Sequence, residues 1–465
     1  MKLTLKNLFG DKRFNRLVLS IALPIVIQNG ITNFVNLLDN IMIGQVGTEQ
    51  MSGVAIVNQL MFVFNLCIFG GIAGAGIFTA QYFGSCDEEN MRYTVRYKII
   101  ISAVVVVLFA VVFWLLGETL VSYYITTGDG QSDPVLTHDY AMQYLKLIMI
   151  QMPFFAISQV YAGTLRETNQ TKIPMIASIV AFLCNLAGNY ILIFGKLGLP
   201  ALGVKGAAIA TVTARFAEML VLIIYSHVKR DKYPAFKQLY KSIKLPLGLF
   251  KNITKKGLPI LFNETLWSIS IALLAQIYSR RGLEIVAAYN IASTINNLFS
   301  VVILAMGSTV SIIVGNYLGS GKTDEAVVAN TRLTVISVIS SVIIGVILIA
   351  TSSLFPRFYN TTDHVKEIAA TYIFIFSCFM PVNAFVNCAY FTLRAGGKTF
   401  ITMLFDSVYE VALSVPTALI LVTFTNLSAP LIYAVVWGLV FIKGVIGFIL
   451  ISRKLWINDL TKMKS

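Results

Sequence analysis

Residues Ile99–Gly117 read IIISAVVVVLFAVVFWLLG, a run with no ionisable side chain and no proline. At 1.5 Å rise per residue such a helix is about 28 Å long, which matches a hydrocarbon core about 30 Å thick. Working outward, eleven further apolar runs of comparable length lie at 17–41, 54–80, 139–163, 173–194, 206–226, 258–279, 289–314, 333–354, 366–391, 400–423 and 430–451. Composition agrees: 57% of the 465 residues are hydrophobic and 12% charged, with a mean hydropathy of +0.76, whereas a soluble domain carries about 25% charge. The charged residues, 36 Lys+Arg and 22 Asp+Glu, are too few to solvate a globular surface of this size. The chain is expected to be an integral membrane protein, not a soluble enzyme or a nucleic-acid binder. Its first run contains Gln28, Asn33, Asn36 and Asp39 and lacks a small-residue cleavage site, so it is expected to be a retained span, not a signal peptide. Cys67, Cys86, Cys184, Cys378 and Cys388 are scattered without CxxC spacing, which indicates neither a disulfide framework nor a zinc site.

Orientation follows from the basic residues, which concentrate on the cytoplasmic side of membrane proteins. With a cytoplasmic N-terminus, 27 of the 36 Lys+Arg fall on inner segments. The connection 227–257 alone carries Lys229, Arg230, Lys232, Lys237, Lys241, Lys244, Lys251, Lys255 and Lys256 against one acid, Asp231. The outer loop 118–138 carries Glu118, Asp129 and Asp133 and no Lys or Arg. Both termini are therefore expected in the cytoplasm of a multi-pass protein of the cell membrane, and the basic connection reads as a topology signal held near anionic lipid.

The two halves repeat. At an offset of 235, Leu23-Pro24 meets Leu258-Pro259, Gly47 meets Gly282, Glu49 meets Glu284, and Tyr82-x-Gly84-Ser85 meets Tyr317-x-Gly319-Ser320. At 228, Pro153 meets Pro381 and Thr164-Leu165-Arg166 meets Thr392-Leu393-Arg394. One gap of seven residues, placed in the loop at 118–138, reconciles the offsets. Six spans per half is an even number, so both halves start on the same side and the repeat is parallel about the membrane normal. The expected fold is all-α, with twelve transmembrane helices in two pseudo-symmetric six-helix bundles: 1–226, a basic linker 227–257, and 258–465. That duplication favours transport by alternating access over a channel or a receptor. Gly315–Thr323 imitates a phosphate-binding loop, but the required glycine five residues before Gly321 is Asn316, and the segment joins two apolar helices. Neither ATP nor any cofactor is expected.

The ordered set of motifs resembles the multidrug and toxic compound extrusion family of secondary transporters. Its carriers are Pro24 with Asp39 and Gly44-x-x-Gly47, Tyr82-Phe-Gly84-Ser85, Leu165-Arg166 with Thr171-Lys172, then Pro259 with Asn263-Glu264 and Trp267, Gly319-Ser-Gly321-Lys322, and Leu393-Arg394-Ala-Gly396-Gly397-Lys398-Thr399. The resemblance covers nearly the whole chain. It implies efflux of amphiphilic, often cationic drugs or metabolites, coupled to inward flow of Na⁺ or H⁺.

Asp39, Arg215, Glu218, Glu264, Asp406, Glu410 and Lys443 lie inside the apolar runs. Each costs about 2.5–3.5 kcal/mol at the centre of a lipid-facing helix, so they are expected to face the bundle interior. In the first half, Asp39, Asn185, Asn189 and Thr211 share one outer depth, and Asn185 and Asn189, four apart, lie on one helical face. Hard oxygen donors around one carboxylate suit a proton or a small cation, so the only metal considered is Na⁺ at Asp39. By resemblance, Asp39, Asn185 and Thr211 match the family's cation site, whereas many prokaryotic members have Asp where this chain has Asn189. The alternative is that the two asparagines are interhelical hydrogen-bond glue. In the second half, Glu264, Asp406, Glu410 and Lys443 share the inner depth, either as a proton- or cation-coupling cluster or as a static ion pair around Lys443. Arg215 and Glu218, three apart, read as a local pair.

Aromatic residues and 14 Met suit an adaptable apolar cavity for organic cations, although such residues also pack bundles. A flippase for a lipid-linked precursor would want a cationic cavity, and the ionisable residues just named are five acids against two bases, which favours cationic cargo. A flippase and a channel remain the alternatives to a cation-coupled antiporter, which is expected to act as a monomer in the bilayer with no nucleic-acid partner.

Overall fold

In the computed structural model the described residues are 10–125, 133–229, 233–242 and 244–462. Asp129 of the acidic loop and Arg230, Asp231 and Lys232 of the basic connection lie outside them, as do both chain ends. Among the described residues the chain is helical without strands. In order these are α1 (Lys12–Gly44), α2 (Thr48–Gly84), α3 (Glu88–Tyr124), α4 (Pro134–Ile148), α5 (Gln151–Glu167), α6 (Lys172–Phe194), α7 (Val204–Val228), α8 (Leu247–Ser279), α9 (Leu283–Gly319), α10 (Thr323–Thr351) and α11 (Asp363–Ala395). They are followed by α12 (Thr399–Phe424) and α13 (Ala429–Ser452). Among the described residues eleven helices are long and apolar enough to cross a membrane, and α4 with α5 makes twelve if that pair, bent by 50°, is one span.

The helix ends carry the duplication in detail. α1 and α8 are each 33 residues long, α2 and α9 each 37, and both pairs begin and end 235 residues apart. The offset falls between the starts of α3 and α10, still 235 apart, and the N-caps Asp133 and Thr362, which are 229 apart. Asp133 caps α4 by accepting from the backbone N–H groups of Val135 (2.9 Å) and Leu136 (3.3 Å), and Thr362 accepts from Val365 (3.4 Å), each satisfying amides that a helix start leaves unpaired.

Proline breaks the symmetry of the paired spans. Pro153 lacks an N–H and crowds the carbonyl of Met149, and the chain bends between Ile148 and Gln151. Its counterpart Pro381 is carried inside a continuous α11. There the carbonyl four residues back, that of Ser377, faces Gly345 of α10, where an added Cβ would stand 3.0 Å from it. In α12 the residues ahead of Pro416 are π-wound at Leu404–Val408 and Glu410–Ser414. The wider winding accommodates the carbonyl that the proline leaves without a donor.

By contact the chain forms two units. One contains Ile27–Thr79 and Glu88–Phe250, and its core includes Phe64, Leu145, Met152 and Ala208. The other contains α1 up to Val26, Ala80–Asp87 and the chain from Lys251 onward, with cores around Tyr372 and Phe376 and around Val310 and Leu393. The basic connection is not a free tether. Its short 3-10 turns bury Ala235, Phe236 and Leu239. Phe236 stacks on Tyr161 at 4.8 Å, and Arg96 donates to the carbonyls of Leu239 (3.1 Å), Lys244 (3.1 Å) and Gln238 (3.4 Å). Lys237, Lys241 and Lys244 stay exposed.

Candidate functional site

Each unit holds a polar cluster built from residues of the apolar runs. In the first, α1 supplies Asp39, α6 supplies Asn185 and Asn189 one turn apart, and α7 supplies Thr211. The Asn189 amide donates to Asp39 Oδ1 (2.5 Å) and Asn185 Oδ1 (3.1 Å), and the Asn185 amide donates to Thr211 Oγ1 (3.3 Å). All four residues singled out from sequence are thus joined in one chain of hydrogen bonds. Asn185 and Asn189 are buried, and Asn189 Oδ1 is a buried acceptor with no partner. A carboxylate, two side-chain amides and a hydroxyl meet in this chain, with the Asn189 NH₂ lying between Asp39 and Asn185.

Deeper in the same unit, Arg215 and Glu218 pair at 2.8 Å on α7, as their spacing suggests. Glu218 also accepts from Ser178 (3.2 Å), which in turn accepts from Gln28 (3.1 Å), and Arg215 lies 5.4 Å from the centre of the Phe155 ring. Sequence reasoning passed over a second pair. Lys98, fully buried, forms an ion pair with Glu167 and donates to Thr164 Oγ1 (3.2 Å). Both residues sit just outside the apolar runs, because α3 and α5 extend beyond the stretches that hydropathy marks. The offsets of the repeat put Leu333 and Ala395 at the corresponding places of the second half, so this charge pair belongs to one half only.

In the other unit, Lys443 of α13 is buried between Asp406 (2.8 Å) and Glu410 (3.0 Å) of α12. Those acids lie in the two π-wound segments, a distortion that recurs at functional sites. Asp406 also accepts from the Asn263 amide at 3.1 Å, and Asn263 donates to the Tyr390 hydroxyl at 3.3 Å. Tyr390 donates to Glu264 at 3.3 Å. Asn263 Oδ1 accepts from the backbone of Ser407 at 3.3 Å, which ties α8 to the π-wound turn. The four residues expected from sequence form one network, but Glu264 reaches it through Tyr390 and Asn263 instead of meeting Lys443. Asn263 was visible in sequence as the neighbour of Glu264, whereas Tyr390 carried no signal, being one aromatic among many on an apolar helix.

A duplicated all-helical bundle with ionisable groups held inside each unit defines a membrane transporter built from two related halves. The chain belongs to the MatE family, whose profile matches residues 24–191 and 259–420, one match in each half. The probable multidrug resistance protein NorM of Thermotoga maritima is 24% identical over 418 residues, spanning 88% of this chain and 86% of its own. A MOP superfamily transporter from Pyrococcus furiosus shares the fold with a TM-score of 0.84 at 18% identity over 98% of both chains. A mutant of the Vibrio cholerae MATE transporter VcmN does so with 0.84 at 16% identity over 95% of this chain and 97% of its own. The protein is therefore a multi-pass membrane transporter of a multidrug efflux family, with small molecules as substrates.

Proposed function

We propose that the protein is an antiporter that exports amphiphilic organic cations in exchange for inward-moving Na⁺ or H⁺, by alternating access between the halves 1–226 and 258–465 about the linker 227–257. The observation that carries this reading is the Asp39–Asn189–Asn185–Thr211 chain with the unpartnered Asn189 Oδ1 at its centre. An unsatisfied buried acceptor costs about 1–3 kcal/mol, so the empty Asn189 Oδ1 favours an occupant over a purely static clasp. A cation bound at that oxygen satisfies it. When Asp39 is charged, the Asn189 amide must donate to it. When Asp39 is protonated, the acid can donate to Asn189 Oδ1 and the donor direction of the chain reverses down to Thr211. Occupancy at one carboxylate would thereby be registered on α1, α6 and α7 together.

In this reading the Lys443 network of the second unit is a further protonation-sensitive element. The basic connection and both termini lie in the cytoplasm, and the protein resides in the cell membrane and works as a monomer. The test is efflux of an organic cation such as ethidium from proteoliposomes under imposed Na⁺ or H⁺ gradients. Uphill movement driven by one gradient names the ion, whereas flux that only ever runs downhill and ignores both gradients sinks the antiport reading.

A further inference from the structure

The repeated motif Tyr82-x-Gly84-Ser85 and Tyr317-x-Gly319-Ser320 has no part in either polar cluster, yet its environment is specific. A Cβ on Gly84 would collide with the backbone carbonyl of Asn316, and a Cβ on Gly319 with the backbone carbonyl of Gln81. Each glycine packs on the residue three positions before the other glycine, and Gln81 and Asn316 are themselves 235 apart. The last turns of α2 and α9 therefore cross reciprocally, backbone on backbone, and Ala80 and Gly315 complete the seat with a separation of 3.1 Å between the Ala80 Cβ and a Cβ placed on Gly315.

Gln81 adds a polar fastening. Its side chain is fully buried, and its amide donates to the carbonyls of Ala395 (2.9 Å) and Asn458 (3.2 Å) while its oxygen accepts from the Leu460 N–H (2.7 Å). All three partners are backbone groups at the end of α11 or in the segment after α13. That segment folds back so that Trp456 and Leu460 are buried. It fits against Gly396, where any Cβ would strike the Trp456 carbonyl, and Asn458 donates to the Gly396 carbonyl at 3.3 Å. Ala80–Asp87 belongs by contact with these second-half segments, while α2 up to Thr79 belongs to the other unit. One helix thus divides its allegiance at the turn that carries Gln81.

We propose that the end of α2 and the C-terminal segment 456–460 form a latch, fastened by Gln81 and seated on the Gly84/Gly319 crossing, that shuts one side of the transport path and releases in each cycle. The design suits repeated release. A backbone crossing over glycines has no interdigitated side chains to extract, and the amides and carbonyls freed when Gln81 withdraws are solvated as water enters. The inference rests on alternating access, and the two can fail separately.

The first arm places Ala80→Cys with Gly315→Cys in a protein whose five native cysteines are replaced. The Cβ separation is a few tenths of an ångström below the disulfide range of about 3.5–4.5 Å, within reach of a small shift. Oxidation is expected to lower ethidium flux at least ten-fold in either direction, with recovery on reduction. Flux within two-fold of the reduced protein after complete oxidation overturns the latch, and so does failure of the folded protein to oxidise. The second arm needs no transport, so it decides the latch even if the cargo or the coupling ion is misassigned. Leu460→Cys is labelled with a maleimide in detergent, with and without Gln81→Met, which keeps the size of the side chain and removes its three bonds. At least five-fold faster labelling with Gln81→Met is expected, and an unchanged rate overturns the latch.

Discussion

Asp406→Asn separates a coupling role of the Lys443 network from a structural one. The substitution keeps the shape and leaves Lys443 its 3.0 Å bond to Glu410. The new amide can turn its oxygen to Lys443, but its NH₂ then meets the Asn263 amide, which cannot turn over without giving up the Ser407 N–H. The loss is the hydrogen bond to Asn263 and the negative charge opposite Lys443, about 2–3 kcal/mol together. Lys443→Met is the reference for damage. It strands Asp406 and Glu410 side by side in a largely buried site and should cost about 3–5 kcal/mol. Stability is read from denaturant unfolding in detergent, and transport from pH-dependent efflux in proteoliposomes. If Asp406 changes partners through the cycle, Asp406→Asn should lower transport more than ten-fold and flatten its pH dependence while remaining the more stable of the two variants. A transport loss that merely follows the stability loss across Asp406→Asn, Glu410→Gln and Lys443→Met, with the pH profile of the residual activity unchanged, would refute the argument.

At the first cluster, Asp39→Asn should abolish coupled efflux with folding intact, and Asn189→Asp should tighten Na⁺ binding by calorimetry; wild-type coupling in the former would remove the site from this unit. Lys98→Met should destabilise the protein by about 3–5 kcal/mol by stranding Glu167, and Lys98→Leu with Glu167→Ala, the residues at the corresponding second-half positions, should recover most of it in unfolding measurements. A double variant no more stable than Lys98→Met would show that the pair does more than satisfy itself. Lys237→Cys on a background without native thiols should resist impermeant reagents in intact cells and react after permeabilisation; labelling from outside would invert the topology.

Much of the chain was legible before folding. Span length and apolarity are local properties, so α1 to α13 fall where the apolar runs do, and the offset of 235 fixes the repeat because identical folds demand similar side chains at matching depths. The candidate carboxylates were also legible, since an ionisable group in a 20-residue apolar run is costly wherever the helix ends up. What depth cannot supply is azimuth and neighbourhood. That Asn189 meets Asp39, that Tyr390 and Asn263 stand between Glu264 and Asp406, and that Lys98 finds Glu167 all depend on which helix faces lie together. The bend after Ile148 against the unbroken α11 shows the same limit, because Pro153 and Pro381 are equivalent in sequence and only their neighbours decide which helix stays continuous. Gln81 is the sharpest instance: nothing within its own helix marks it, and its three partners lie more than 300 residues away, brought to it by packing alone. Sequence determined which segments enter the membrane and which charges must be sheltered there; tertiary structure decided what shelters them, because hydrophobic burial fixes depth without direction while hydrogen bonds and ion pairs require partners within about 3 Å.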